Sequence, residues 1–229
     1  MEGMKLYLAS GNLNKKREMS EIFPELEVVV PKDEGIDFNP EETGCTFYEN
    51  SLIKAKALFD IVGCPVVADD SGICVDALGG APGIYSSRYG GPSFMRGRPD
   101  GAKTSQADQN RMLIGQLNEA LSSGTETPSN GRDGLYPNGP RSARYICAMV
   151  LYMGPGRLYV CQETMEGTIV ERPEDQRGEN GFGYDPLFYL PKYGKTSAEI
   201  SPDEKNAISH RGKAARLLQK IANEVLSLS

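Results

Sequence analysis

The chain has 229 residues, of which 39% are hydrophobic and 24% charged, and it carries a formal net charge of −6. This composition supplies enough apolar side chains for one substantial core, in a single α/β domain or in two closely joined lobes. The acidic balance argues against nonspecific nucleic-acid binding, which depends on a basic surface. We therefore expect a globular protein with no nucleic-acid partner.

The sequence does not predict a membrane or secreted protein. Charge occurs within the first five residues, no apolar signal segment precedes Ser10, and the longest apolar run, 146–153, is too short to span a bilayer. The five cysteines are odd in number and form no C-x-x-C pair, which is typical of reduced thiols. We expect a cytoplasmic location and no membrane partner.

Hydrophobic periodicity predicts strands that alternate with helices. The strands are expected at 5–9, 26–30, 65–69, 144–152 and 157–165, and the helices at 14–23, 46–61, 106–121 and 205–227. This alternation predicts an α/β fold in which helices flank a twisted mixed β-sheet. A hairpin turn is expected at 153–156, and polar loops are expected at 91–104 and 122–139. The predicted core-facing stripe of the last helix is Leu217, Leu218, Ile221 and Val225.

The first polar cluster follows the first predicted strand. Ser10, Gly11, Asn12 and Lys15 connect that strand to the next helix. The backbone N–H groups of such a turn, the positive helix terminus and the lysine suit a phosphate chain. The spacing is not that of a Walker loop, and ordinary helix capping by serine or asparagine explains the same residues. Both interpretations stay open from the sequence.

The second polar cluster begins the second predicted helix. Thr46 and Glu49 fit a capping box, which gives Glu49 a structural role. Asn50 and Lys54 are four residues apart and share a helix face beside Glu49. A carboxylate, an amide and an ammonium group together suit a phosphate that is bound through a metal ion. Glu49 can serve both purposes.

Two adjacent carboxylates, Asp69 and Asp70, end the third predicted strand, and Ser71 and Gly72 after them indicate a turn. Strand ends are where α/β sheets bind ligands. Neighbouring strand residues point to opposite faces, so one carboxylate can hold a metal ion while the other orients or deprotonates a water. A solvated turn is the alternative interpretation.

The third polar cluster lies in the last part of the chain. Gly181 and Gly183 flank Phe182, which permits close approach of the backbone to a flat ligand and offers a ring on which a base can stack. The alternatives are core packing for Phe182 and a simple turn at Asp185. His210 is the single histidine of the chain and is more typical of an exposed helix residue than of a catalyst.

Together these clusters resemble the inosine triphosphate pyrophosphatase family, whose members clear deaminated purine nucleotides. Five ordered motifs over nearly the whole chain carry the resemblance, and any one of them alone would be weak. They are Ser10-Gly11-Asn12-x-x-Lys15-x-x-Glu18, Glu42-Thr43-Gly44-x-Thr46-Phe47-x-Glu49-Asn50-x-x-x-Lys54, Ala68-Asp69-Asp70-Ser71-Gly72, Gly181-Phe182-Gly183-Tyr184-Asp185-Pro186 and Glu204-Lys205-x-Ala207-Ile208-Ser209-His210-Arg211.

The resemblance implies a role for each matching position. Asp70 would accept a proton from the attacking water, and Lys54 would act on the phosphates as the second catalytic residue. The implied metal ligands of Mg²⁺ are Glu49, Asp69 and Asp70. The implied substrate-binding residues are Ser10, Gly11, Asn12, Lys15, Ser71, Phe182, Gly183, Tyr184, Asp185, Lys205, His210 and Arg211. The segment 182–185 would form part of the base and sugar pocket, and the pair 210–211 would lie near the 6-keto edge of the purine.

The resemblance also implies a reaction and an architecture. Mg²⁺-dependent hydrolysis between the α- and β-phosphates of ITP, dITP or XTP would give the nucleoside monophosphate and pyrophosphate. One domain over residues 1–229 is expected, with two lobes around an active-site cleft, and the protein is expected to be a homodimer. The loops at 91–104 and 122–139 depart from the family pattern and are expected to be insertions.

Two other function classes remain compatible with the sequence. Another nucleoside triphosphate hydrolase or a transferase, with a different base preference, could use the same carboxylates and lysines, and orthophosphate release would identify such a hydrolase. A catalytically silent nucleotide-binding protein would tolerate loss of Asp70, yet it would have little need for Glu49, Asp69 and Asp70 together. A purely structural role explains none of the polar clusters.

Overall fold

The structure is a computed structural model that describes residues 5–123 and 139–226. Its strands are β1 (Lys5–Leu8), β2 (Glu27–Val29), β3 (Val66–Val75), β4 (Ser142–Tyr152), β5 (Leu158–Ile169), β6 (Phe188–Leu190) and β7 (Lys195–Thr196). Its helices are α1 (Leu13–Ile22), α2 (Phe47–Val62), α3 (Gln106–Ser122), α4 (Pro202–Ile208) and α5 (His210–Leu226). The strands form one sheet in the order β2-β1-β3-β4-β5-β6-β7. The predicted α/β class, with a mixed sheet and flanking helices, is confirmed.

The chain divides into two compact units. Unit 1 comprises residues 1–71, 146–164 and 206–229, and unit 2 comprises residues 72–145 and 165–205. Unit 1 contains β1, β2, α1, α2 and α5, and unit 2 contains α3, β6 and β7. The remaining strands, β3, β4 and β5, contribute residues to both units.

In unit 1 the strand order reverses at β1. This strand runs parallel to β2 on one side and to β3 on the other, with Tyr7 in register with Val29 and with Val66. The intervening helices, α1 and α2, provide the long connections that parallel strands require. Such a reversal is a topological switch point, and α/β sheets bind ligands beside it, at the carboxyl ends of the strands.

Two apolar clusters cover the two faces of the sheet in unit 1. Leu8 and Val67 pack with residues of α1 and α5 in one cluster. Tyr7 and Val66 pack with residues of α2 in the other. Since successive strand residues point to opposite faces, the alternation of β1 and β3 assigns α1 and α5 to one face and α2 to the other.

The third strand differs from its prediction. The sequence predicts that it ends at residue 69 in a turn, but β3 continues through Asp69 and Asp70 to Val75. Ile73 and Val75 are fully buried, and the Ile73 N–H donates to Ser86 Oγ at 2.9 Å. The expected turn is therefore wrong, because tertiary packing after Gly72 keeps the chain extended.

The helix predicted at 205–227 is also wrong as a single element, since α4 ends and α5 begins around Ser209. Ser209 Oγ accepts a hydrogen bond from the Gly212 N–H at 3.0 Å. Arg216 donates to the carbonyl oxygens of Asn206 and Ala207, at 2.9 and 2.6 Å. These contacts satisfy backbone groups that helix ends leave unpaired, which stabilises the break.

The other predicted elements are present with small differences at their ends. The predicted hairpin is supported by a bond from the Met153 N–H to the Arg157 carbonyl at 2.9 Å, and so short a link can only join antiparallel strands. Segment 91–104 is a loop with one short 3₁₀ turn, Pro92–Phe94, whereas most of the predicted loop at 122–139 lies outside the described residues. Leu217, expected to face the core, is 40% exposed.

In residues 5–123 and 139–226, no helix combines the length and the apolar character that a membrane crossing requires.

The close approach of Gly212 to Asn206 provides a test of the helix break. A Cβ on Gly212 would lie 2.0 Å from the Asn206 carbonyl oxygen, whereas a Cβ on Gly115, inside α3, would meet nothing within 4 Å. We expect Gly212→Ala to lower the free energy of unfolding by about 2 kcal/mol or more, because two backbone segments must separate. The control, Gly115→Ala, should raise it by up to about 1 kcal/mol. Urea unfolding measures both, and similar effects would contradict the packing assigned to Gly212.

Candidate active site

The loop after β1 presents the first predicted cluster. Asn12 caps α1, since its Oδ1 accepts from the Lys15 N–H at 3.4 Å, and Ser10 Oγ accepts from the Asn12 N–H at 3.1 Å. Gly11 is exposed, and a Cβ on it would meet nothing within 4 Å. The capping interpretation therefore holds, and the same loop places the open N-terminus of α1 at the switch point of the sheet.

The adjacent carboxylates of β3 point to opposite faces of the sheet. Asp69 contacts Lys15 and Arg211, which belong to α1 and α5. Asp70 contacts Asn50 and Lys54, which belong to α2. The alternation of a strand thus separates two sequence neighbours into two different polar environments.

Asp69 lies in a buried cluster of alternating charges. It is 2% exposed, and its Oδ2 lies 2.9 Å from Lys15 Nζ and 3.3 Å from Arg211 Nε. Arg211 also donates to Glu18 Oε2 and to Ser71 Oγ, each at 3.1 Å. Burial acts to raise the pKa of Asp69, but Lys15 and Arg211 outweigh burial and hold this pKa well below its ordinary value. Asp69 is therefore a fixed anion.

Asp70 lies in a less strongly compensated environment. Asn50 Nδ2 donates to its Oδ2 at 3.1 Å, and Lys54 Nζ lies 3.6 Å from its Oδ1. The same Lys54 Nζ lies 2.8 Å from Glu42 Oε1. Burial raises the pKa of Asp70, Lys54 opposes this rise, and Glu42 adds to it, with a net increase. A carboxylate with a raised pKa and a small exposed fraction, 9%, is suited to accept a proton from water.

Glu49 forms the predicted capping box. Its Oε2 accepts from the N–H groups of Cys45 and Thr46, at 2.6 and 3.0 Å, and Thr46 Oγ1 accepts from the Glu49 N–H at 3.1 Å. The structural role of Glu49 is confirmed.

The structure does not bring the predicted metal ligands Glu49, Asp69 and Asp70 together. Within the described ranges, 5–123 and 139–226, no group of three or more His, Cys, Asp or Glu side chains could hold a metal ion. The reasons are physical: the carboxylate of Glu49 is engaged at the helix terminus, and strand alternation sends Asp69 and Asp70 to opposite faces.

In unit 2, Asp185 organises the turn Gly181–Asp185. It is 2% exposed; its Oδ2 accepts from the Phe182 N–H at 2.7 Å and from Lys205 Nζ, and its Oδ1 accepts from Ser197 Oγ at 2.8 Å. A Cβ on Gly181, whose φ is +82°, would lie 2.2 Å from Asp185 Oδ2, so only glycine fits there. The turn is therefore held from within by one buried carboxylate.

The two aromatic residues of this turn have different environments. The Phe182 side chain is 46% exposed, and Lys205 Nζ lies 5.3 Å from its ring centroid, so core packing does not account for this residue. Tyr184 is buried, its hydroxyl donates to the Ser86 carbonyl at 2.8 Å, and burial raises its pKa. Phe182 offers a stacking surface, and Tyr184 anchors the turn within unit 2.

His210 begins α5 and is buried, which makes the expectation of an exposed histidine wrong. The neighbouring Arg211 is buried as well, in contact with Asp69.

The sequence motifs include Glu18 and Glu42 but assign them no role, and they do not include Ser197. Glu18 follows Lys15 by three residues on α1, a spacing that indicates a shared helix face. Glu42 lies in an irregular segment before α2, and Ser197 follows the very short strand β7, so neither had a periodic pattern to mark it.

The sequence pattern of the Ham1 family matches residues 6–221 of this chain. The chain belongs to the Ham1 family. The motifs described above therefore lie in the matched range, and the predicted resemblance is confirmed.

Named relatives and solved structures agree with the Ham1 assignment. A Treponema denticola protein named dITP/XTP pyrophosphatase is 50% identical over 211 residues, which cover 92% of this chain and 94% of that protein. An Escherichia coli protein of the same name is 39% identical over 219 residues, which cover 93% of this chain and 95% of that protein. The HAM1 protein of Coxiella burnetii superposes with a TM-score of 0.77 at 35% identity and covers 97% of this chain and 100% of its own. The Staphylococcus aureus Ham1 protein superposes with a TM-score of 0.75 at 34% identity and covers 96% of this chain and 98% of its own.

The charges around Asp70 predict opposite effects of two substitutions on its pKa. Lys54→Met removes the cation that lowers this pKa, so the pKa should rise further above 3.8. Glu42→Gln removes an anion that raises it, so the pKa should fall. Asp60→Asn, on an exposed position of α2, is the control and should leave it unchanged. Carbon NMR of the carboxyl groups in metal-free protein measures the titration, with Asp70→Asn for assignment. Shifts of the same sign would refute this electrostatic description.

The capping box predicts a difference between two substitutions at the start of α2. Thr46→Ala leaves the Glu49 N–H without its acceptor and should lower the free energy of unfolding by about 1 kcal/mol. Glu49→Gln keeps an oxygen for the N–H groups of Cys45 and Thr46, so its cost should be smaller. Glu41→Gln, at an exposed position before the helix, is the control. Denaturant unfolding gives the three values, and a larger loss for Glu49→Gln than for Thr46→Ala would contradict the assignment.

Proposed function

We propose that this chain hydrolyses the noncanonical purine nucleoside triphosphates ITP, dITP and XTP to the nucleoside monophosphate and pyrophosphate, and so removes deaminated purines from the nucleotide pool. The observation that carries the proposal is the pairing of two buried strand carboxylates with lysines from two different helices at a topological switch point. The relatives named dITP/XTP pyrophosphatase support the substrate class, since they match more than nine-tenths of this chain.

Asp70 is proposed as the general base. Burial raises the pKa of Asp70, which makes it a stronger base than an ordinary aspartate, and Asn50 fixes the orientation of its carboxylate. In this role Asp70 orients a water for in-line attack on the α-phosphate and takes its proton while pyrophosphate departs. Lys54, beside it, neutralises charge that develops on the phosphate oxygens.

Lys15 is proposed to bind the triphosphate together with the loop Ser10, Gly11 and Asn12. When Lys15 moves from Asp69 to a phosphate oxygen, Arg211 remains as the counter-ion of Asp69, so that carboxylate stays compensated. The N-terminus of α1 adds backbone donors and a favourable dipole for the same anion.

Mg²⁺ is proposed as the cofactor, with Asp70 and Glu42 as its protein ligands. The donor set fits, because Mg²⁺ commonly takes one or two carboxylates and completes its shell with substrate phosphates and water. Both carboxylates contact Lys54, whereas Asp69 is already neutralised by cations and Glu49 is engaged in its cap. When bound, the ion neutralises the triphosphate and makes its α-phosphate more electrophilic.

The base of the nucleotide is proposed to stack on Phe182, whose ring is accessible above the turn that Asp185 holds. Gly183, Tyr184 and Lys205 are the other proposed substrate-binding residues of unit 2. In unit 1, Ser71, His210 and Arg211 are proposed to bind the substrate. A buried donor that is aimed at a 6-keto oxygen disfavours an amino group at that position, because an unpaired donor costs about 1–3 kcal/mol.

We further propose one functional domain over residues 1–229, a homodimer and a cytoplasmic location. The five cysteines are all free thiols, which supports a reducing compartment. Light scattering would test the dimer, and a monomer would exclude it.

Release of pyrophosphate tests the function. With Mg²⁺, the purified protein should release pyrophosphate from ITP, dITP and XTP far faster than from ATP or GTP. Asp70→Asn should lower kcat by about 10³-fold or more while the Kd for ITP changes little, because charge and basicity are lost and shape is retained. Asp60→Asn is the matched control on an exposed site of α2. Release of orthophosphate, or equal rates on all five triphosphates, would reject the proposal.

A further inference from the structure

Three side-chain amides in unit 2 form a chain of hydrogen bonds. Gln106 is the first residue of α3, Asn110 lies one turn later, and Gln176 follows β5 in sequence. Gln106 Nε2 donates to Asn110 Oδ1 at 2.9 Å, and Asn110 Nδ2 donates to Gln176 Oε1 at 2.9 Å. Gln176 Nε2 donates to the Pro173 carbonyl at 2.8 Å. We call this chain the amide relay.

The Pro173 carbonyl sets the direction of the amide relay. A backbone carbonyl can only accept, so the amide nitrogen of Gln176 faces it and the oxygen of Gln176 faces Asn110. Asn110 uses its amide nitrogen to donate to Gln176, so its oxygen faces Gln106. That oxygen can only accept, and therefore the amide nitrogen of Gln106 faces Asn110. A glutamine amide is otherwise free to turn over, and here its orientation follows from the network. At the end of the relay opposite Pro173, the atom that is left without a partner in the relay is therefore an oxygen, Gln106 Oε1.

That oxygen borders open space beside the turn Gly181–Asp185. A Cβ built on Gly183 would meet Gln106 Oε1 at 4.0 Å and no other described atom within that distance. The residue before Gly183 is Phe182, whose ring is the accessible aromatic surface of the turn. In residues 5–123 and 139–226 we find no protein N–H or O–H that donates to Gln106 Oε1.

We propose that Gln106 determines base specificity by accepting a hydrogen bond from the bound purine, and that Asn110 and Gln176 are positioning residues for it. This inference rests on the proposed function, which puts the base at Phe182 and Gly183. A 6-keto purine carries a hydrogen on ring atom N1, whereas adenine carries a lone pair there. The amide oxygen of Gln106, which the relay orients, accepts a hydrogen bond from the N1–H of a 6-keto purine and repels the N1 lone pair of adenine.

The amide relay distinguishes purines only by whether ring atom N1 carries a hydrogen. Guanine also carries a hydrogen on N1, so Gln106 separates the 6-keto purines from adenine and does not separate hypoxanthine from guanine. A residue that only supported the fold would weaken the binding of all purines alike. The ratio of two dissociation constants therefore reports specificity and is insensitive to a general loss of structure.

The test measures the Kd values of IMP, GMP and AMP by calorimetry for the wild type, Gln106→Met and Gln176→Met. Methionine has nearly the length of glutamine and lacks the amide. The wild type should bind IMP more tightly than AMP. Gln106→Met should lower the ratio of the AMP Kd to the IMP Kd by about 3- to 10-fold, as expected for one neutral hydrogen bond, without a change in the GMP to IMP ratio. Gln176→Met should lower the AMP to IMP ratio by a smaller factor, because the Gln106 amide can then turn.

The control is Gln162→Met, at an exposed position of β5 in unit 1, which should change neither ratio. An unchanged AMP to IMP ratio in Gln106→Met, or a ratio near one in the wild type, would overturn the proposal. An effect of Gln106→Met without any effect of Gln176→Met would overturn the positioning roles. Binding of monophosphates requires no cleavage, so a failure of the proposed reaction is detected separately, in the pyrophosphate assay.

Discussion

The two-residue period of β3 is the constraint on which the chemistry of unit 1 depends. It places the Asp69 side chain on the face covered by α1 and α5 and the Asp70 side chain on the face covered by α2. The two residues are neighbours in the sequence, yet their pKa values move in opposite directions. Burial acts to raise both pKa values; Lys15 and Arg211 outweigh it at Asp69, whereas Lys54 does not outweigh it at Asp70, where Glu42 adds to the rise. A strand can thus separate a permanent anion from a proton acceptor without any loop or insertion.

Burial of so many charges is tolerated because each one is compensated nearby. In unit 1, Arg211 contacts Asp69, Glu18 and Ser71 with different nitrogen atoms of one guanidinium group. In unit 2, Asp185 is compensated by Lys205, the Phe182 N–H and Ser197. Removal of one member from such a group leaves an unpaired charge in a poorly solvated place, which costs more than the intact contact contributes.

Local patterns made part of this structure predictable. The capping box of Thr46 and Glu49, the strand–loop–helix unit after β1 and the apolar periodicities were all readable from neighbouring residues. The remaining features of the structure depend on contacts between residues that lie far apart in the sequence. Glu18 and Arg211 are 193 positions apart, so no local pattern could pair them. Likewise, Ser71 and Gly72 look like a turn in sequence, and only packing around Ile73 and Val75 keeps them in a strand.

The alternation of β3 has a consequence for how the gene can change. Insertion or deletion of a single codon between Val67 and Asp69 would move each carboxylate to the opposite face, because the side-chain period of a strand is two. Both charged clusters would then lose their partners together, although every residue of the chain would still be present. The loop at 91–104 has no such period, and the side chains that contact Asp69 and Asp70, namely Lys15, Arg211, Asn50 and Lys54, all lie outside it. A one-residue change in length is therefore more damaging in β3 than in this loop.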